Sequence, residues 1–181
     1  NGFPSTLCVS VDSQVVHGIP SDKEIDEGCI LSIDCGVLMH GFYGDSAYTY
    51  PVGNISKEKE QLISVTKRAL HIGVENAKCG NRVGDIGFAI QDFAESHGCS
   101  VVKELVGHGI GTKLHELPEV PNYGDKGSGV VLRDGMVLAI EPMLNLGSDA
   151  IIQNDDGWTI ETRDGLPSAH FEYTIAIKQD V

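Results

Sequence analysis

Acidic side chains inside apolar, strand-like segments are the feature that most constrains how this chain can fold. Asp34 lies within the apolar run 30–37, and Glu141 ends the apolar run 137–140 directly before a proline. An ionised carboxylate in a buried strand costs several kcal/mol unless something compensates its charge. We therefore expect a compensating partner beside both carboxylates.

A second aspartate, Asp45, is predicted to face Asp34 across a hairpin. Residues 45–52 are typical of a return strand, and a turn centred between Met39 and His40 would place positions 34 and 45 opposite each other. Opposed residues on one sheet face have Cβ atoms about 4.5–5.5 Å apart. Two like charges at that distance are expected to bind a cation or share a proton. The alternative, which the pattern does not exclude, is a bulged hairpin with Asp45 merely in a turn.

Two histidines and a fourth acidic residue, Glu172, extend the candidate site. His108 and His115 lie seven positions apart in what is predicted to be one glycine-rich loop that includes residues 107–111. Their position beside the misplaced carboxylates favours a metal site. Glu172 alternates with apolar residues in the predicted strand 171–177. Taken alone, this pattern favours a solvent-facing glutamate.

The order of the predicted elements indicates an α+β domain. One helix begins after a Ser56 cap and ends at Gly80, and a second runs from about Gly84 to a cap at Gly98. The length of 181 residues is typical of one domain. The predicted strands cover residues 7–11, 29–37, 45–52, 101–106, 136–140, 158–162 and 171–177.

Charge and cysteine content exclude several classes of function. The chain has 26 acidic and 13 basic residues and a formal charge of −13, which argues against binding nucleic acid directly or docking on an anionic membrane. Its 5 cysteines are odd in number and lack Cys-x-x-Cys spacing. This argues against a thiolate zinc site or a disulfide framework and favours a reducing compartment. No apolar run approaches the roughly 18 residues of a membrane span.

The ordered motifs resemble those of type I methionine aminopeptidases over essentially the whole chain. The resemblance implies the α+β pita-bread fold, in which two pseudo-symmetric halves form a curved, mostly antiparallel sheet covered by helices. It also implies that residues 1–181 are a single metallopeptidase catalytic domain that lacks the family's N-terminal segment. The motifs are Ile33-Asp34, Gly44-Asp45, Gly107-His108-Gly109-Ile110-Gly111 with His115-Glu116, Ile140-Glu141-Pro142-Met143, and Ser168-Ala169 with Phe171-Glu172-Tyr173-Thr174.

The resemblance implies a site that holds two divalent metal ions. Glu141 would accept a proton from the attacking water. His115 would donate a hydrogen bond to the scissile carbonyl oxygen, and His17 would contact the substrate backbone. A ligand set of four carboxylates and one imidazole suits Mn²⁺, Fe²⁺ or Co²⁺ better than a structural zinc ion, although Zn²⁺ also fits. The implied metal ligands are Asp34, Asp45, His108, Glu141 and Glu172.

Four further residues are implied to line a pocket for the methionine side chain. They are Phe3, Cys8, Leu114 and Trp158. An apolar pocket fits an unbranched thioether. All four could instead be ordinary core residues. Leu114 also departs from the family, because type I enzymes commonly have an aromatic residue there.

The implied function is metal-dependent removal of N-terminal methionine from nascent proteins and peptides in the cytoplasm, with transient ribosome association. One alternative is a proline-specific peptidase of the same fold, either a prolidase or an Xaa-Pro aminopeptidase. The segments Trp158-Thr159 and Ser168-Ala169 fit the methionine enzymes better. The other alternative is a non-catalytic binding scaffold, which should have lost ligands, whereas all five positions are filled here.

Overall fold

A seven-stranded antiparallel sheet forms the centre of the computed structural model, which describes residues 2–179. Its strand order is β1-β3-β6-β15-β10-β8-β9. The strands of the described range are β1 (Cys8–Val11), β2 (Gln14–Val16), β3 (Ile30–Asp34), β4 (Val37–Met39), β5 (Phe42–Gly44), β6 (Ser46–Pro51), β7 (Ser100–Val101), β8 (Gly107–Gly109), β9 (Glu116–Val120), β10 (Val137–Ile140), β11 (Met143–Asn145), β12 (Ile151–Gln153), β13 (Ile160–Thr162), β14 (Ser168–His170) and β15 (Glu172–Ala176).

The central sheet joins strands from both ends of the chain. Strands β1, β3 and β6 precede the helices, whereas β15, β10, β8 and β9 follow them, and the two groups meet where β6 pairs with β15. Smaller sheets flank this one, with the orders β14-β11-β7, β12-β13-β2 and β4-β5. The predicted order of strands, helices and strands is therefore confirmed.

Two helices in the described range, α1 (Lys57–Asn76) and α2 (Val83–Ser96), follow the first group of strands. The predicted cap is present, since Ser56 Oγ accepts a hydrogen bond from the Lys59 backbone N–H at 3.3 Å. Helix α1 ends four residues before Gly80, which instead donates its N–H to Leu132 O at 2.9 Å. Helix α2 ends close to the predicted position, where Gly98 has a φ of +75°.

One face of the central sheet packs against the helices. Leu70 of α1 and Ile90 of α2 share a buried cluster with Leu138 of β10 and with Phe171 and Ile177 at the two ends of β15. Burial of such side chains contributes about 1.5–3 kcal/mol each. Because alternate residues of a strand point to opposite faces, the polar positions of β15 must lie on the other side of the sheet.

The predicted hairpin register is wrong. Asp34 is opposed by Ala47 instead of Asp45, and the tip of the hairpin pairs Met39 with Phe42. The turn is therefore His40-Gly41, one residue later than predicted. Both turn residues have positive φ, +52° and +85°, as a two-residue hairpin turn of type I′ requires.

Two other local predictions differ from the structure. His108 was expected in a loop but lies on strand β8, where residues 107–109 pair with both β10 and β9. The predicted strand 101–106 is reduced to β7, Ser100–Val101. No helix in residues 2–179 has the length and apolarity needed to cross a membrane.

Gly18 is a test of how closely β1 approaches the segment that carries His17. A Cβ built on Gly18 would collide with the backbone oxygen of Val9. We expect Gly18→Ala to lower the free energy of unfolding by about 1–3 kcal/mol in urea denaturation, because the strand backbone cannot move aside easily. Gly44→Ala is the control, since its Cβ would have no atom within 4 Å. Equal stability of the two variants would contradict this close approach.

Candidate active site

The strand register places two predicted ligands in one row across the sheet. Asp34 of β3 is opposed by Cys8 on one side and Ala47 on the other. Ala47 is in turn opposed by Glu172 of β15. Directly opposed residues point to the same face. Asp34 and Glu172 therefore share the face that the helices do not cover, with only a small alanine between them.

A second row brings His108 to the same face. Thr174 lies two positions beyond Glu172 on β15 and is opposed by Ala139, which is opposed by His108 of β8. The small side chain of Ala139 again leaves space between the polar groups. The candidate site thus lies over two alanines, on the face opposite the helix-packed core.

Within residues 2–179, the tightest group of potential metal donors consists of Asp45, His108 and Glu172. One donor atom from each lies within 4.8 Å of the others. Thr174 holds Asp45 in place, because its Oγ1 accepts from the Asp45 N–H and donates to the Asp45 O, both at 2.8 Å. Asp34 borders the group, and its carboxyl interacts with that of Asp45.

Glu141 lies against His108 at the end of β10. Its Oε1 is 3.5 Å from His108 Nε2. The other ring nitrogen, Nδ1, is 2.9 Å from Gly109 O, which can only accept, so Nδ1 carries the proton. In the neutral ring, the form that binds a metal, His108 Nε2 is therefore an acceptor that faces a carboxylate oxygen. Two acceptors that face each other in this way suit a cation between them.

Glu172 gives a second sign that the residues fit a cation. Its side chain is 2% exposed, and its Oε1 has no hydrogen-bond partner in the described part of the chain. Burial, followed by the charges of Glu141, Asp45 and Asp34, raises the pKa of Glu172 well above its usual value. A divalent ion would supply the missing partner and remove the cost of ionising this group.

The two aspartates share the same electrostatic problem. Burial is the main cause that raises the pKa of both Asp34 and Asp45. The interaction between them raises the pKa of Asp34 and lowers that of Asp45, so Asp34 is the more readily protonated of the two. Metal binding must therefore displace protons from this cluster.

His17 and His115 lie at the edge of the carboxylate cluster. His17 has a φ of +58°, a strained value for a residue that is not glycine. The ring of His115 meets that of His108 edge to face, with centroids 4.3 Å apart. Burial lowers the pKa of both histidines, and His108 lowers that of His115 further. Both rings are therefore neutral at pH 7 and each can donate one hydrogen bond.

The structure shows which groups lie beside each of the predicted pocket residues. Phe3 and Trp158 pack edge to face with ring centroids 5.3 Å apart. Cys8 lies beside Asp34, and burial together with the Asp34 charge raises the pKa of its thiol to about 12, so it is not a thiolate ligand. Leu114 reaches Gly36, where its Cδ1 would be 3.3 Å from an added Cβ.

Sequence reasoning missed His170. It is 2% exposed, and its Nε2 lies 3.5 Å from Glu141 Oε2. Burial lowers its pKa, but the interaction with the nearby Glu141 carboxylate outweighs this effect and the net pKa is raised. A histidine two positions before Glu172, between apolar neighbours, was the signal that could have revealed it.

Comparison with known proteins agrees with this geometry. The sequence profile described as metallopeptidase family M24 matches residues 1–179. The chain belongs to this family. A curated relative, "Methionine aminopeptidase" of Clostridium perfringens, is 54% identical over 176 residues, which cover 97% of this chain and 71% of the relative.

Solved structures of the M24 family support the same assignment. The crystal structure of methionine aminopeptidase from Rickettsia prowazekii has a TM-score of 0.97 and 44% identity, and the match covers 98% of this chain and 72% of that one. The prolidase from Pyrococcus horikoshii has a TM-score of 0.73 and 25% identity, and the match covers 97% of this chain and 46% of that one. The predicted pita-bread fold and the resemblance to methionine aminopeptidases are confirmed.

Replacing Asp34 should stabilise the metal-free protein while weakening metal binding. The raised pKa of Asp34 means that its stabilising contribution is present at low pH and is lost as pH rises through the folded-state pKa. Asp34→Asn avoids this loss. We expect the chelator-treated variant to gain about 1 kcal/mol over the parent in urea denaturation at pH 8, and less at pH 5.

The control for this experiment has the opposite sign. Hydrogen bonds from the backbone N–H groups of Arg82 and Gly127 lower the pKa of the exposed Asp85. Asp85→Asn should therefore lose stability at pH 8.

Excess Mn²⁺ should stabilise the parent more than Asp34→Asn. If Asp34→Asn were less stable than the parent protein at pH 8 without metal, repulsion among the buried carboxylates would not destabilise the metal-free protein.

Proposed function

We propose that the M24 fold of this chain removes N-terminal methionine from peptides and nascent proteins, using two divalent ions held by five side chains. One observation carries the proposal: His108 Nε2 lies 3.5 Å from Glu141 Oε1 while its Nδ1 contacts Gly109 O, beside the buried Glu172, whose Oε1 has no hydrogen-bond partner in the described part of the chain. The proposed ligands are Asp34, Asp45, His108, Glu141 and Glu172.

The charge of the proposed ligand set supports two ions. Its four carboxylates sum to −4 when ionised. Two divalent cations would cancel that charge, whereas one would leave a buried excess that favours protonation. The set offers oxygen and one imidazole nitrogen without a thiolate, because Cys8 keeps its proton. This donor chemistry favours Mn²⁺, Fe²⁺ or Co²⁺, and Zn²⁺ also fits.

Glu141 is the proposed general base and acid of the reaction. When bound, the ions would lower the pKa of a water molecule and polarise the scissile carbonyl. The Glu141 carboxylate accepts a proton from the attacking water and then passes it to the nitrogen of the leaving amine. Its location between the imidazoles of His108 and His170 holds it at the centre of the polar cluster.

The two edge histidines are proposed to contact the substrate. His115, kept neutral by burial and by His108, donates a hydrogen bond to the carbonyl oxygen as negative charge develops there. His17 contacts the substrate backbone and sets its register. The strained backbone of His17 is consistent with this role, because such strain concentrates at functional positions.

The methionine side chain is proposed to pack among Phe3, Cys8, Leu114 and Trp158. The edge-to-face pair of Phe3 and Trp158 supplies an apolar wall, and the protonated thiol of Cys8 lies beside Asp34. A polarisable thioether interacts favourably with aromatic rings. Residues 1–181 are proposed to act as one catalytic domain. Because nascent chains emerge in the cytoplasm, we place the reaction there, with transient contact to the ribosome.

Metal removal and restoration tests the reaction. We expect chelator-treated protein to lose hydrolysis of Met-Ala-Ser and to regain it with Mn²⁺, Fe²⁺ or Co²⁺. Glu141→Gln should lower kcat by about 10²–10⁴-fold, because the amide cannot accept the proton. Glu75→Gln, on the exposed surface of α1, is the control. Faster hydrolysis of Ala-Pro-Ser than of Met-Ala-Ser would favour the prolidase alternative, and failure to bind divalent metal would favour a non-catalytic scaffold.

The pocket assignment predicts a change in substrate binding. Trp158→Ala should raise KM for Met-Ala-Ser about tenfold, equivalent to roughly 1.4 kcal/mol of lost binding, with a smaller change in kcat. Phe88→Ala removes an exposed aromatic ring on α2 and serves as the control. Steady-state kinetics and thermal melting separate the two interpretations. A lower melting temperature with an unchanged KM would make Trp158 an ordinary core residue.

A further inference from the structure

His170 presents a buried nitrogen that the proposed reaction does not yet use. Its side chain is 2% exposed, and its Nε2 has no hydrogen-bond partner in the part of the chain that the structure describes. Leaving a buried polar group unpaired costs about 1–3 kcal/mol. The group nearest to satisfying it is Glu141, whose Oε2 lies 3.5 Å away. The arrangement therefore calls for a functional explanation.

The position of His170 is set by a buried hydroxyl network. Thr49 Oγ1 donates to His170 O at 2.8 Å and accepts from His170 N at 2.9 Å. Because the only proton of that hydroxyl is used, Ser32 Oγ is the donor in its 2.8 Å contact with Thr49 Oγ1. Ser32 and Thr49 are both buried. Strands β3 and β6 thus hold the backbone of His170 although β14 belongs to another sheet.

The two carboxylate oxygens of Glu141 face two different imidazoles. Its Oε1 lies 3.5 Å from His108 Nε2, and its Oε2 lies 3.5 Å from His170 Nε2. The neutral ring that a metal-binding histidine presents has one proton, which Nδ1 of His108 gives to Gly109 O, and it has no second proton to donate to Oε1. His170 is therefore the imidazole of this pair that can donate to the carboxylate. The backbone oxygen of Glu141 accepts from Asn122 Nδ2 at 3.0 Å, which fixes the start of the side chain.

We propose that His170 is a positioning residue that donates from Nε2 to Oε2 of Glu141 and thereby keeps Oε1 directed towards His108 and the metal. This inference rests on the proposed function of Glu141. Donation requires a proton on Nε2, which is present in one neutral tautomer as well as in the imidazolium. About 0.5 Å separates the observed distance from an ordinary N–H···O bond, a change that a small carboxylate movement supplies.

Substitutions that keep or remove the donor test this role. His170→Gln retains an N–H donor of similar reach, whereas His170→Leu keeps apolar bulk without a donor. His170→Asn carries the same amide group as His170→Gln, but its side chain is too short to reach Glu141. This variant replaces His170→Leu if the leucine protein does not fold. His97→Leu, at the exposed end of α2, is the matched control for loss of a histidine.

Two measurements test whether His170 positions Glu141. Calorimetric titration of the chelator-treated proteins with Mn²⁺ reports metal affinity, and hydrolysis of Met-Ala-Ser reports kcat and KM. We expect the Leu and Asn variants to lose about 10–100-fold in Mn²⁺ affinity or kcat with little change in KM. The Gln variant should stay within about threefold of the parent protein in both Mn²⁺ affinity and kcat. The control variant His97→Leu should match the parent protein.

Two outcomes would overturn the inference. One is parental Mn²⁺ affinity and kcat in the Leu and Asn variants, and the other is a loss in the Gln variant as large as that in the Leu variant. Failure of the proposed function is distinguishable from both. In that case the parent protein would not hydrolyse Met-Ala-Ser, while the order of Mn²⁺ affinities would still report whether His170 positions Glu141.

Discussion

Electrostatic repulsion among carboxylates on one sheet face is the constraint on which the rest of this structure depends. Asp34, Asp45 and Glu172 are held close together, and burial raises the pKa of each. Without a cation the cluster keeps protons that it would lose in water. The fold tolerates this conflict because the opposite face of the sheet packs a large apolar core against two helices. Stability is thus supplied on one face and chemical reactivity on the other.

The antiparallel register turns distant sequence positions into one site. Ala47 lies between Asp34 and Glu172, and Ala139 lies between Thr174 and His108. Each alanine leaves room above the sheet that a larger side chain would fill. Residues far apart in the chain therefore meet over these two alanines, and Thr174 fixes the backbone of Asp45 through two hydrogen bonds. Such prearrangement lets a site bind metal without a large reorganisation.

Parts of the fold and the candidate site were predictable from local chemistry. The Ser56 cap and the apolar stripes identified both helices, because capping and helical periodicity depend on residues close in sequence. Asp34 and Glu141 stood out because each interrupts or ends an apolar strand. Glu172 was less clear, since its alternating strand equally suits a face exposed to water. The structure shows that this position is buried, with 2% of the residue exposed.

The sequence by itself determined the donor types, the helix boundaries to within a few residues and the resemblance to one metallopeptidase family. Only the tertiary structure decided the hairpin register, because the left-handed turn at His40-Gly41 lies one residue later than predicted and moves the partner of Asp34 by two residues, from Asp45 to Ala47. It also decided that His170 faces Glu141. The hydroxyl of Thr49 holds the His170 backbone across two separate sheets, and no local pattern encodes these hydrogen bonds between residues 121 positions apart. Long-range packing, which propensity does not describe, settles such contacts.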